Sequence, residues 1–158
     1  MTQVWRNERS IEVRAHVDIF VNKIDREIYL LKAHITKIGY GQSMGYLIPT
    51  NRELLKTNVL SCLEDSISAY QQEVEVTDPF KASPYKTWNK FFKYHDYIPV
   101  RYNKEKKIYY ISMNRRDEKT RSYMEPLPNC EFTLTEEEFD ERFDEIMDFL
   151  ISKVEMIK

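Results

Sequence analysis

Glycine, histidine and cysteine are scarce in this chain of 158 residues, at three, three and two copies, and each scarcity excludes a class of chemistry. Two cysteines supply neither a disulfide framework nor a zinc site. Cys62 falls within a helical pattern as a small core residue, and Cys130, after Pro126-Leu-Pro128-Asn, is expected in a loop or at a strand start. A reducing compartment would leave both as thiols. All three glycines lie in Gly39-Tyr-Gly41-Gln-Ser-Met-Gly45. That spacing matches neither the dinucleotide fingerprint nor the P-loop. It reads instead as a turn or bulge needing positive φ, before a short strand through Tyr46 to Ile48.

No run approaches the ~20 apolar residues of a membrane span, and the segment Met1 to Arg9 has no apolar signal core, so a cytoplasmic protein without membrane attachment is expected. A net charge of −2 gives no global attraction to nucleic acid or anionic lipid. No Ser or Cys motif marks an activated nucleophile, and no distinctive carboxylate pair marks acid–base work. The chain is therefore expected to be neither an enzyme nor the carrier of a cofactor or metal.

What is present fits one ordinary domain over residues 1–158, which should bury roughly 70% of its unfolded surface. An apolar fraction of 42% supplies a core, and a charged fraction of 32% keeps the exterior wet. From Ile11 to Val21 every odd position is apolar, the period of a strand buried on one face. Tyr29, Leu31, Ala33 and Ile35 continue the alternation after a polar break. An antiparallel hairpin pairing odd residues with odd residues would put both apolar sets on one face, and His16, His34 and Asp18 on the other. Two imidazoles and a carboxylate could hold a metal, but cross-strand polar neighbours of this kind are commonplace in sheets.

Thr50-Asn-Arg-Glu53 has the form of a capping box, with Leu55, Val59, Leu63 and Ile67 as the apolar stripe of a helix ending near Ala69 or Tyr70. Gln71 to Lys81 is polar and reads as a loop. Ser83-Pro84 fits the cap and first position of a short aromatic helix. Nine of the chain's 21 aromatic residues lie between Tyr85 and Met113, where that helix feeds a hairpin with the charged tip Asn103-Lys-Glu-Lys-Lys107. A second capping box, Thr135-Glu-Glu-Glu138, opens a last helix with Phe139, Phe143, Ile146 and Leu150 facing inward.

Two surfaces could carry recognition. On the last helix Glu137, Glu141, Asp144 and Asp148 recur at intervals of four, three and four, and so share one strip opposite the phenylalanines. Such a strip could steer a basic partner, although a solvated helix face has the same pattern. The hairpin offers Tyr97, Tyr102 and Tyr109 as protein-binding anchors. Near it gather Arg101, Lys104, Lys106, Lys107, Arg115, Arg116, Lys119 and Arg121, a cation-plus-aromatic pattern found in single-strand nucleic-acid binders. Glu105, Asp117 and Glu118 interrupt that charge, so nucleic acid is the weaker alternative partner.

The order of parts resembles the immunity proteins of bacterial contact-dependent growth inhibition systems. The first hairpin from Val13 to Ile35, the glycine-bearing turn, the helix from Glu53 to Ile67, Thr87-Trp-Asn-Lys-Phe-Phe-Lys93, the hairpin from Ile98 to Met113 with Asn114-Arg-Arg116 at its exit, and the Thr135 helix carry the likeness. It spans roughly residues 11 to 150. The resemblance implies a mostly antiparallel α/β (α+β) fold with helices around a central sheet. It also implies a non-enzymatic inhibitor that occludes a cognate toxin domain, commonly a nuclease. It fixes neither the toxin, nor the interface, nor the oligomeric state.

Overall fold

The computed structural model describes residues 13–75, 77–80, 83–117, 119–120 and 122–157; Ile11, Glu12 and Arg121 lie outside them. Seven strands form one sheet with every pairing antiparallel: β1 (Arg14–Asn22), β2 (Ile28–Ile35), β3 (Gly41–Ser43), β4 (Ile48–Thr50), β5 (His95–Asn103), β6 (Ile108–Asp117) and β7 (Ser122–Thr135). The order across the sheet is β3-β2-β1-β5-β6-β7, and β4 joins β3 along the outer side of β2. Among the described residues three helices, α1 (Leu55–Ser68), α2 (Trp88–Lys93) and α3 (Glu136–Ser152), pack against it. The class is α+β, as expected.

Both faces of the sheet are covered near β2, and this sets the register. Val17 pairs with Lys32, Ile19 with Leu30 and Val21 with Ile28, so odd residues of β1 meet even residues of β2 rather than odd ones. Ile28 and Leu30 consequently join Val17, Ile19 and Val21 in the main core, beneath α1 and α3. Tyr29 and Leu31 turn to the opposite face, where Phe20, Phe80 and Phe91 form a second, aromatic core under α2. A strand buried on both sides carries two apolar alternations, and only one of them belongs to the larger core.

The corrected register separates the histidines. His16 lies on the α2 face, whereas His34 is buried on the other, with Nε2 3.2 Å from Gln42 Oε1. They cannot share a metal. Among the described residues no group of three or more His, Cys, Asp or Glu side chains could hold one.

Helix starts differ from expectation at two of three places. Thr50 is held in β4 opposite Ile28, and its hydroxyl accepts from Asn58 Nδ2 at 2.6 Å, so it cannot cap. The chain instead turns through Asn51, whose side chain accepts the Leu54 amide at 2.8 Å, and α1 begins at Leu55 without a side-chain cap. Ser83 closes a turn over Tyr85 and Lys86, and Lys86 at φ 61° breaks the backbone before a helix can form. The α2 cap is Thr87, which accepts from the Lys90 amide at 3.3 Å. The Thr135 capping box, in contrast, is complete in both directions. Gly39 (φ 90°) and Gly45 (φ 74°) take the positive φ expected of the glycine-bearing turn, but Gly41 lies within β3, and the strand expected through Tyr46 to Ile48 begins only at Ile48, as β4.

Cys130 lies inside β7 rather than at its start, and both thiols are free and buried. β7 can carry Pro126 and Pro128 because it is the last strand of the sheet. The pairing slips between Asn114↔Pro126 and Ser112↔Glu131, where Asn129 takes φ 62°. This bulge keeps Cys130 and Leu134 in the core despite the prolines.

One helix side chain enters the sheet. Ser66, fully buried on α1, accepts the His16 amide at 2.9 Å and donates to the Ala33 carbonyl, although His16 and Ala33 are register partners. The hydroxyl thereby replaces a direct strand–strand bond. Ser66→Ala should cost about 2 kcal/mol in urea unfolding, by leaving a buried amide and carbonyl unpaired. A loss below about 0.5 kcal/mol would mean the strands close directly over the gap.

A candidate protein-binding surface on the last helix

The stripe Phe139, Phe143, Ile146, Met147 and Leu150 anchors α3 on the sheet. The opposite strip is therefore turned outward, and Glu137, Glu141, Asp144 and Asp148 are all exposed. The structure divides the strip in two. Arg52, at the turn before α1, donates from Nε to Asp148 Oδ1 at 2.6 Å, and from NH1 to Asp144 Oδ1 at 3.2 Å. Its NH2 group also reaches the Asp144 carbonyl at 2.9 Å. Lys56 likewise bonds Asp140 at 2.8 Å. Glu137 and Glu141, near the start of the helix, have no partner among the described residues. Exposed pairs of this kind hold geometry more than they add stability. Their effect is to leave the unbalanced negative charge toward the α3 N-terminus.

That end is rigid. The Glu138 carboxylate accepts the Thr135 amide at 3.0 Å, a bond that holds its carboxyl below the ordinary range. Tyr109 stacks on Phe139 with ring centroids 3.8 Å apart, and Tyr102 packs against Tyr109 at 4.4 Å. The Tyr102 hydroxyl donates to Glu136 Oε2 at 2.8 Å. Burial raises the Tyr102 phenol, and the bond and charge of Glu136 raise it further.

The three hairpin tyrosines do not form one recognition surface. Tyr102 is buried in the main core, and Tyr109 is partly buried against it. Both support α3 from beneath. Tyr97 is on the other face of the sheet, donating to Asp18 Oδ1 at 2.8 Å and accepting from Arg101 NH2 at 2.8 Å. The alternation of Tyr97, Ile98, Pro99, Val100, Arg101 and Tyr102 could have assigned these faces from the sequence. Arg52 could not have been found that way, because it meets α3 from more than ninety positions away.

The basic group is also dispersed. Arg101 pairs with Asp18, Arg115 with Asp96 and Glu155, and Arg116 is buried and donates to the Asn89 carbonyl at 3.3 Å. Lys104, Lys106 and Lys107 stay exposed at the hairpin tip, as does Lys119 in the next turn. No helix among the described residues is long and apolar enough to cross a membrane.

No protein-family model matches the chain, and no curated protein matches it. Among solved structures it is similar to NMB0488 of Neisseria meningitidis, a protein of unknown function. The TM-score is 0.54 at 13% identity, covering 89% of this chain and 94% of that one. Likeness at that identity shows a shared fold.

Proposed function

We propose that this protein is a cytosolic, non-enzymatic immunity protein that binds and occludes the toxic domain of a bacterial contact-dependent growth inhibition system. The order of elements that carries the resemblance supports this reading. The observation that carries the interface is the exposed acidic strip of α3, with Glu137 and Glu141 free of partners among the described residues. Many toxic nuclease domains must hold nucleic acid and are basic for that reason, so their surfaces complement such a strip. The α3 strip would guide docking, and the rigid capped end would present Glu137 and Glu141 in fixed positions.

The direct test is survival of cells co-expressing this chain with the toxic domain encoded immediately upstream, followed by co-purification. Survival with a stable complex is expected. Continued killing, with both proteins soluble and no complex formed, would overturn the proposal. For the interface, Glu137→Lys combined with Glu141→Lys should slow toxin association by about tenfold or more in low salt, with the unfolding midpoint almost unchanged. An association rate unaltered in low salt would remove the strip from the interface.

A further inference from the structure

The face of the sheet bearing α2 is covered only in part, and beside α2 it opens into a cavity of about 420 Å³. Its floor is His16 and Asp18 of β1, Leu31 and Ala33 of β2 and Arg101 of β5; Gly41 and Ser43 of β3 close one side and Trp88 another. The volume falls within the range of small-molecule sites. We propose that this cavity binds a nucleoside phosphate, with its heterocycle against Trp88 and its phosphate near Arg101.

Trp88 is a supported platform. Its ring packs edge-on against Phe80 at 4.1 Å and at a tilt against Phe92 at 4.9 Å, yet the residue remains 43% exposed. A flat ring backed by a rigid aromatic core and open toward a cavity is the geometry in which base stacking contributes most. The Arg101 guanidinium is equally fixed. NH1 donates to Asp18 Oδ1 at 3.0 Å and to the Val100 carbonyl at 3.3 Å, and NH2 donates to Tyr97 at 2.8 Å. Further N–H groups of its five-donor fork remain for an anion. Arg14 stands two residues before His16 on the same face, and its buried Nε has no partner among the described residues. Arg101 and Asp18 are the charged groups of the cavity lining, with Arg14 farther along the same face and Glu131 on the other side of Arg101. The Ser43 hydroxyl and the second Asp18 oxygen offer a donor and acceptors for ring amines or ribose hydroxyls. Gly41 keeps the cavity open, since a Cβ there would lie 3.2 Å from His16 Nδ1. This site is independent of the α3 surface, on the opposite face of the sheet.

The experiment is fluorescence titration of the Trp5→Phe protein, in which Trp88 is the one tryptophan left. The probes are the four common ribonucleoside monophosphates, the matching nucleosides, inorganic phosphate, and short 5′-phosphorylated single strands. At least one monophosphate or strand should quench Trp88 saturably with a Kd below about 1 mM. Its nucleoside should bind at least tenfold more weakly, and phosphate alone should leave the emission unchanged. Free monophosphates binding as tightly as strands would identify a free nucleotide as the source; strands alone binding would identify a chain end. Ser43→Leu, which fills the cavity from an edge strand, and Gly41→Ala, which narrows it, should each weaken binding at least tenfold. Near-ultraviolet circular dichroism checks that both remain folded. Absence of saturable quenching by any probe, or equal binding by a folded Ser43→Leu protein, would overturn the proposal.

Discussion

Asp96→Ala should destabilise the protein by about 3–5 kcal/mol in urea unfolding, a large share of the stability of an ordinary domain. Asp96 is fully buried in β5, opposite Val21. It faces Lys23 Nζ at 3.8 Å and accepts from Arg115 at 3.3 and 3.4 Å, and from the Glu155 amide at 3.2 Å. Lys23 is itself almost completely buried, so deleting the carboxylate strands an ammonium in the interior. Arg115 is better placed, since it also reaches Glu155 at 3.4 Å and donates to the Lys153 carbonyl at 2.6 Å. The damage should therefore run through Lys23. Asp96→Leu combined with Lys23→Met should recover much of the loss, because replacing both members of a buried pair by apolar side chains removes the uncompensated charge. A double variant no more stable than Asp96→Leu alone would show that the carboxylate acts mainly on Arg115 and the residues after α3.

Acid should weaken the fold well above the range in which ordinary carboxylates titrate. Burial pushes His95 down to about 4, although its Nδ1 lies 2.6 Å from the Phe91 carbonyl and its ring stacks on Phe91 at 3.9 Å. Burial also pushes His16 down to about 3, aided by the charges of Arg101 and Arg14. In the unfolded chain both imidazoles titrate near 6.5. The folded state thus favours the neutral rings. Their contribution is complete above pH 6.5 and is lost as the pH falls from there toward 4, while the unfolded chain binds protons that the folded one refuses. Each histidine lowers stability by up to about 1.4 kcal/mol per pH unit in that window. Unfolding free energies at pH 7, 6 and 5 should therefore fall with a slope approaching about 3 kcal/mol per unit at the lower end. His16→Gln should roughly halve the slope. A flat profile from pH 7 to pH 5 would mean that both rings can be protonated in place.

The legible parts of this fold were those whose signals are local. The Thr135 capping box, the α3 stripe and the hairpin from β5 to β6 depend on residues a few positions apart, and all three are present. The α1 stripe is likewise local, and its helix ends at Ser68 with Ala69 as the cap. What failed involved competition between distant segments. Thr50 has the composition of a cap, but β4 pairing with β2 takes it first. Tyr29 and Leu31 share their strand with Ile28 and Leu30, and only the presence of Phe80 and Phe91 on the far face decides which pair enters which core. Phe80 sits in a polar stretch and gave no periodic signal, so the second core had no visible partner for α2. The acidic strip was placed correctly as an outward face. Its division into a paired and an unpaired half depends on Arg52, which no spacing rule connects to Asp144 and Asp148.

The central seam of the sheet has a kinetic consequence. β1 pairs with β2 across a short turn, and β5, β6 and β7 follow one another as a meander, but β1 meets β5 only after some seventy intervening residues. Each arm can close its own local loops early, whereas the seam from Arg14↔Asn103 to Asn22↔His95 must bring two preformed halves together. Joining the halves should limit the folding rate. Substitutions at Ile19 and Ile98, which face each other across the seam, should slow folding, while those in the β6–β7 arm should mainly hasten unfolding.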